Sequence, residues 1–230
     1  IGSALYFTSM VEEVPVVKYG VTAKLLTNNH DTEPGYDTDF VLIVENTGSI
    51  TDTFGIGVKS NDGGFVITIE EGYESIILAK NKMKPIIINV KTSASATGLL
   101  YAHLEVRSQG DISQKTEIRL DVNTDYIFGN MSSVGNSVSI HYAGILAINA
   151  ELFDSSMEYI WDNYENRKSG VTDDNRHTDA LSADNIGCDS PSTHEDCDGS
   201  RGMIPGFDAK MVGMYEGQSL AVRIPAKDAY

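Results

Sequence analysis

The chain is short of positive charge, cysteine and long apolar runs. Across 230 residues, 17 Lys and Arg stand against 33 Asp and Glu, for a formal net charge of -16. That balance argues against a nucleic-acid partner, because a phosphate backbone is gripped by Lys and Arg gathered on one face. The acidity reads either as solubility in a salty medium or as attraction for basic or unfolded polypeptides. No stretch reaches the ~18 consecutive apolar residues of a membrane-crossing helix. Residues 1–13 open on Ile1-Gly-Ser-Ala-Leu-Tyr-Phe without an initiator Met. They read as the end of a signal or anchor segment, with a membrane anchor upstream of residue 1, or as a frayed terminus or edge strand. The two cysteines, Cys188 and Cys197, share one polar loop. A disulfide between them suits an oxidising, extracytoplasmic compartment; a reduced pair is the alternative. They lack CxxC spacing, so no zinc site is expected. No motif calls for a cofactor.

What the chain has in quantity is β-pattern. Extended segments are expected within Val14–Leu26, at Asp39–Glu45, Thr53–Val58, Gly64–Ile69, Ser75–Leu78, Lys84–Val90, Leu99–Val106 and Thr116–Val122. Asn61-Asp-Gly-Gly64 signals a hairpin turn. Strands at this spacing, rich in Val and Ile, predict an all-β two-sheet sandwich over residues 14–125, with Phe40, Leu42 and Val44, and Tyr101 and His103 or their neighbours, pointing inward. The phrases Glu45–Phe54 and Gly98–Ser108 resemble the Ig-like modules common on archaeal and bacterial surface proteins. No carboxylate cluster, His pair or Gly-rich phosphate loop interrupts these strands, so the half reads as scaffold or binding module. His30 and His103 read as ordinary strand or surface histidines.

Composition changes near Tyr126. Residues 126–134, rich in Gly, Ser and Asn, are expected to be a linker. A second domain, 135–230, follows: α+β, with a curved antiparallel sheet, one short helix and a long polar insertion. Met157–Tyr164 carries aromatics at 159, 161 and 164 and suits a short helix. Beyond it lies a polar stretch with Asp173, Asp174, Asp179, Asp184, Asp189, Glu195, Asp196 and Asp198. Such oxygen ligands can hold calcium, but the spacing does not fit a twelve-residue calcium loop, and a solvated acidic loop is the simpler reading.

The last stretch carries most information. Met203-Ile-Pro-Gly-Phe-Asp208 is followed by Gly213-Met214, a Glu216-Gly217 turn, an alternating strand at Leu220, Val222 and Ile224, and Ile224-Pro-Ala-Lys-Asp-Ala-Tyr230. Upstream and in order stand Val138-Ser-Ile-His-Tyr-Ala-Gly144 and Leu152-Phe-Asp-Ser-Ser156. Together these blocks, spanning Tyr126 to Tyr230, resemble an FKBP-type peptidyl-prolyl cis/trans isomerase. The resemblance implies a prolyl isomerase for extracytoplasmic proteins that acts on proline-containing unfolded or nascent polypeptides and accepts macrolide inhibitors. It implies a site with Phe207 as floor, Tyr142 and Phe153 as walls, Met203 and Ile204 as lip, Tyr230 at the rim, and Asp154 orienting Tyr142 or polarising the substrate carbonyl. The family's aromatic flap before the MIPGF block is here the polar run Ser192–Gly202, leaving a wall missing or supplied by Trp161 or Tyr159. The family pattern also continues past the position of Tyr230, so the chain is expected to be a fragment cut at both ends. The alternative is a non-catalytic client-binding or adhesion protein with a vestigial pocket.

Overall fold

Strands form where β-branched and aromatic residues alternate with polar ones. The computed structural model describes residues 17–175, 178–188 and 205–226, and is mostly β, with two very short helices. One sheet has four strands, ordered β1 (Val21–Leu25), β3 (Asp37–Asn46), β7 (Met83–Thr92), β5 (Phe65–Ile69). The second has five, ordered β2 (Asn29–Asp31), β9 (Lys115–Asn123), β8 (Leu99–Ser108), β4 (Asp52–Asn61), β6 (Ser75–Leu78). Pairing is antiparallel except for β2 beside β9. Phe40, Leu42 and Val44 of β3, Ile86, Ile88 and Val90 of β7, and Leu104, Val106, Leu120 and Val122 of β8 and β9 are fully buried in one cluster. The region is therefore a two-sheet sandwich with its core between the sheets.

Several sequence expectations change. On β8 the inward residues are Ala102 and Leu104, while Tyr101 lies on the outer face beneath the Arg119 guanidinium, 4.5 Å from its ring centroid. The period of two makes this an all-or-none choice of face. The backbone bends at residues 63–64, with Gly63 and Gly64 at φ 82° and 76°. Yet β4 and β5 do not form a hairpin: β4 pairs with β6 and β8, and β5 with β7 in the other sheet. The glycines permit the bend, whereas the ladder partner depends on which sheet buries each strand's apolar face. Polar β2 has no sequence signature; it is held by register to Asp121, Val122 and Asn123.

Two buried polar side chains organise the loops at one end. Asn46 donates to the carbonyls of Ile50 and Leu78, both at 2.8 Å, and accepts from the Gly48 N–H. The Asp52 carboxylate accepts from Ser108 Oγ and from the Thr53 and Gly110 N–H groups. Unpaired, either group would carry a desolvation penalty.

After Asp125 the elements shorten: β10 (Val138–Ile140), β11 (Ala143–Ile145), β12 (Leu152–Ser155), α1 (Glu158–Asn163), β13 (Leu181–Ala183) and α2 (Pro205–Met211). Among the described residues, the expected single curved sheet is instead two separate two-stranded sheets, β10–β13 and β11–β12. Among the described residues there are two short α-helices where one was expected. The segment Leu220–Ile224, expected as a strand, pairs with no strand. It lies along β3, where Ala221 N–H donates to the Asp39 side chain and Asp39 N–H to the Ser219 carbonyl. The stretch expected as a linker is ordered. Phe128 is buried, stacks on Tyr215 at 5.7 Å and meets Tyr36 edge-on at 5.4 Å. Ser132 N–H donates to Met214 O and Gly213 N–H to Ser132 O, tying this stretch to the turn after α2.

Two small clusters replace a second large core. Ala150, Leu152, Ile160, Trp161 and Tyr164 bury against Ile43 on the outer face of β3. Ala183, Ile186 and Met211 bury together with Val138, Ile140 and Val212 at their edge. No helix among the described residues is long and apolar enough to cross a membrane, and residues 1–13, with their anchor reading, lie outside those described.

Candidate functional site

Three residues far apart in sequence meet between the β11–β12 hairpin and α2. Tyr142 stands immediately before β11, Asp154 lies in β12 opposite Gly144, and Phe207 is in the first turn of α2. The Tyr142 hydroxyl donates to Asp154 Oδ2. The Phe207 ring meets the Tyr142 ring edge-on, with centroids 6.3 Å apart.

The backbone around Tyr142 is clamped. Its N–H donates to Ser156 Oγ at 2.9 Å, and its carbonyl accepts from Ser155 Oγ and from the Ser156 N–H. Both serines are buried, so these bonds are shielded from competing water. Burial, and next the Asp154 carboxylate beside it, raise the Tyr142 pKa strongly, so the phenol stays protonated and donates at any physiological pH. The Ser155-Ser156 pair was visible in sequence only as the tail of the Leu152–Ser156 block, with no sign of this bracing role.

Phe153 takes a different place. Its ring covers Gly144 so closely that a Cβ there would come within 2.3 Å of Phe153 Cζ. That packing requires glycine. Phe153 is 37% exposed, and the ring contact between Tyr142 and α2 is made by Phe207. Met203, Ile204 and Tyr230 lie outside the described residues.

The two aromatics expected as a substitute wall stand in different surroundings. Trp161 is buried under the Arg167 guanidinium, 4.7 Å from its ring centroid, and donates Nε1–H to Asp173. Tyr159 is 65% exposed to solvent.

Helix α2 is fixed from both sides. Met211 enters the apolar cluster under β10 and β13, and the buried Asp208 carboxylate accepts the Gly187 N–H at 2.8 Å. Asp208 directly follows Phe207, so this bond helps set the angle at which the ring is presented. Cys188, the next residue after Gly187, is disulfide-bonded; Cys197 lies outside the described residues. Among the described residues no three His, Cys, Asp or Glu side chains gather as a metal cage, and Asp189, Glu195, Asp196 and Asp198 lie outside them. In the sandwich, His30 rests edge-on against Phe40 with ring centroids 4.6 Å apart and pairs with Thr27 Oγ1, which suits a packed histidine.

No protein-family model matches the chain, and no curated protein matches it. Solved structures of β-domains are similar to part of it. The ASH/PapD-like domain of human CEP192 aligns at 13% identity with a TM-score of 0.38, over 55% of this chain and 98% of that one. A FixG-related protein from Vibrio parahaemolyticus aligns at 8% identity and 0.36, over 48% of this chain and 100% of that one. The native Escherichia coli alpha-2-macroglobulin aligns at 13% identity and 0.37, over 54% of this chain and 8% of that one. The chain is thus similar to Ig-like, PapD-like and macroglobulin-type β-domains over about half its length.

Proposed function

We propose that the chain carries an FKBP-type peptidyl-prolyl isomerase site in residues 135–230, presented outside the cytoplasm beside an Ig-like sandwich. The observation that carries the reading is the meeting of Tyr142, Asp154 and Phe207, one from each separated block of the resemblance. The disulfide at Cys188 supports an oxidising compartment.

The chemistry needs neither nucleophile nor metal. Rotation about a peptide bond faces a barrier of about 18–20 kcal/mol, and X-Pro bonds relax over tens to hundreds of seconds unaided. The planar amide is more polar than the twisted one, because resonance separates charge. An aromatic, water-poor surface therefore disfavours the planar form, and only contacts stronger in the twisted form raise the rate. Phe207 supplies an apolar face for the proline ring. Tyr142, locked to Asp154 and braced by Ser155 and Ser156, supplies a wall that does not swing away. Proline-containing unfolded or nascent polypeptides are the substrates in this reading, and macrolides are ligands of the same surface.

The test is a protease-coupled assay on a proline-containing peptide, with and without a macrolide. Asp154→Ala and Phe207→Ala should each lower kcat/KM by about tenfold, or ~1.4 kcal/mol, with unchanged circular dichroism. Wild-type rates in both variants would remove the site assignment. The polar run Ser192–Gly202 in place of an aromatic flap favours a second reading, proline-segment binding without catalysis. Macrolide binding with no rate enhancement would select it.

A further inference from the structure

Among the described residues, strand β6 ends its sheet, with β4 on one side and no strand on the other. The Ile56 N–H donates to the Glu74 carbonyl, which makes Glu74 and Ile56 a hydrogen-bonded pair. By antiparallel alternation the next such pairs are Ile76 with Phe54 and Leu78 with Asp52, in the observed register. The backbone groups of Ser75 and Ile77 therefore point away from β4, toward the open edge.

A hollow of about 520 Å³ runs along the whole of β6 and across to the start of β7. Ile77 stands on it, 73% exposed, and Ile148, from the loop before β12, stands on it 81% exposed. Among the described residues its lining includes Lys82 and Lys84 and no Asp or Glu; the neighbouring Glu70 carboxylate is paired with Arg223. An open strand edge, apolar side chains on the hollow and two lysines in its lining occur together here.

We propose that this edge receives an extended, acidic segment of another polypeptide, which adds to the sheet as a strand beside β6. Main-chain bonds to Ser75 and Ile77 hold it, alternate apolar side chains enter the hollow, and its carboxylates face Lys82 and Lys84. The sandwich would then hold a client independently of any chemistry at Tyr142. The proposal does not rest on the isomerase reading.

The test uses a fluorescein-labelled eight-residue peptide that alternates valine with aspartate and threonine, followed by anisotropy on the full chain. Binding should weaken at least tenfold in three cases: a peptide with proline at alternate positions, the double variant Lys82→Glu/Lys84→Glu, and Ile77→Pro. The Ile77 N–H serves no bond to β4, so Ile77→Pro should leave the melting temperature near that of the unsubstituted chain. If that variant unfolds, the proline-bearing peptide decides on the unaltered protein. Equal binding of the two peptides, or equal binding by the lysine variant, overturns the proposal. So does a concentration-dependent doubling of mass that Ile77→Pro abolishes, which would assign the edge to a second copy of the chain.

Discussion

Residues 21–123 and residues 138–211 solve the same problem by different means. The first region has strands of up to 10 residues whose alternate side chains meet in one core. The second has strands of three or four residues and two small clusters, one of them completed by Ile43 of the first region, with Leu26, Val41 and Met83 packed at its edge. Core size explains the contrast. A long alternating strand commits half its side chains to one face, and two such sheets need nothing else. The three-residue strands here bury at most one side chain each and must borrow a surface. Ile43 shows the borrowing: it is buried on the outer face of β3, where strict alternation would leave it in solvent.

The contrast is most easily broken by cavities. Phe40→Ala empties the centre of the sandwich and should cost about 3–5 kcal/mol. Urea unfolding should then show the whole chain losing stability, since the second region leans on β3. Trp161→Ala removes a side chain of similar burial, but should unfold the second region in a separate, earlier transition, leaving the sandwich midpoint nearly unchanged. A single shared transition in both variants would mean that the regions form one cooperative unit.

Acid should separate the regions by a second route. Burial lowers the His30 pKa from 6.5 to about 4, with Asp31 opposing. The folded state therefore refuses a proton that the unfolded chain accepts below pH 6.5. Stability is full above pH 6.5, declines by about 1.4 kcal/mol per pH unit as pH falls, and levels off near pH 4. The total is on the order of 3 kcal/mol. A His30→Gln chain, which cannot take up that proton, should show a flatter slope between pH 6.5 and 4. Parallel slopes would place the acid sensitivity on carboxylates instead.

The two regions were also unequally legible in sequence. Phe40, Leu42 and Val44 announced an inner face because period two is written directly in the residues. Tyr101 and His103 left the face of β8 open, because aromatic and apolar residues alternate there on both sides. The pairing of β5 with β7 could not be read from the turn before it, since ladder partners depend on distant strands. In the second region, Tyr142, Asp154 and Phe207 were legible only as ordered blocks of a resemblance. No local pattern shows that Ser156 clamps Tyr142, that Phe153 covers Gly144, or that Asp208 ties α2 to Gly187. Such contacts join segments whose separation in sequence has no period.

The smallest expected effect concerns the seam between the regions. Arg223 sets its guanidinium against Glu70, with contacts of 2.5 and 2.6 Å, donates to the Pro85 carbonyl at 2.7 Å, and lies over the Tyr73 ring. Arg223→Met keeps much of the apolar stem and removes every one of the polar contacts. Glu70 retains the Ile87 N–H at 3.0 Å, so its carboxylate is not left bare. The loss should be about 1 kcal/mol, near the upper end for a pair of this exposure. It should be local. The Ala221 amide, which donates to Asp39, should exchange with solvent several-fold faster, while amides in β7 and β8 keep their rates. Unchanged exchange at Ala221 would show that the residue 219–221 contacts with Asp39 and Thr38 hold this segment without the ion pair. Faster exchange throughout β7 would show that the segment supports the sheet as well as resting on it, and would erase the distinction between a self-sufficient sandwich and a region that depends on it.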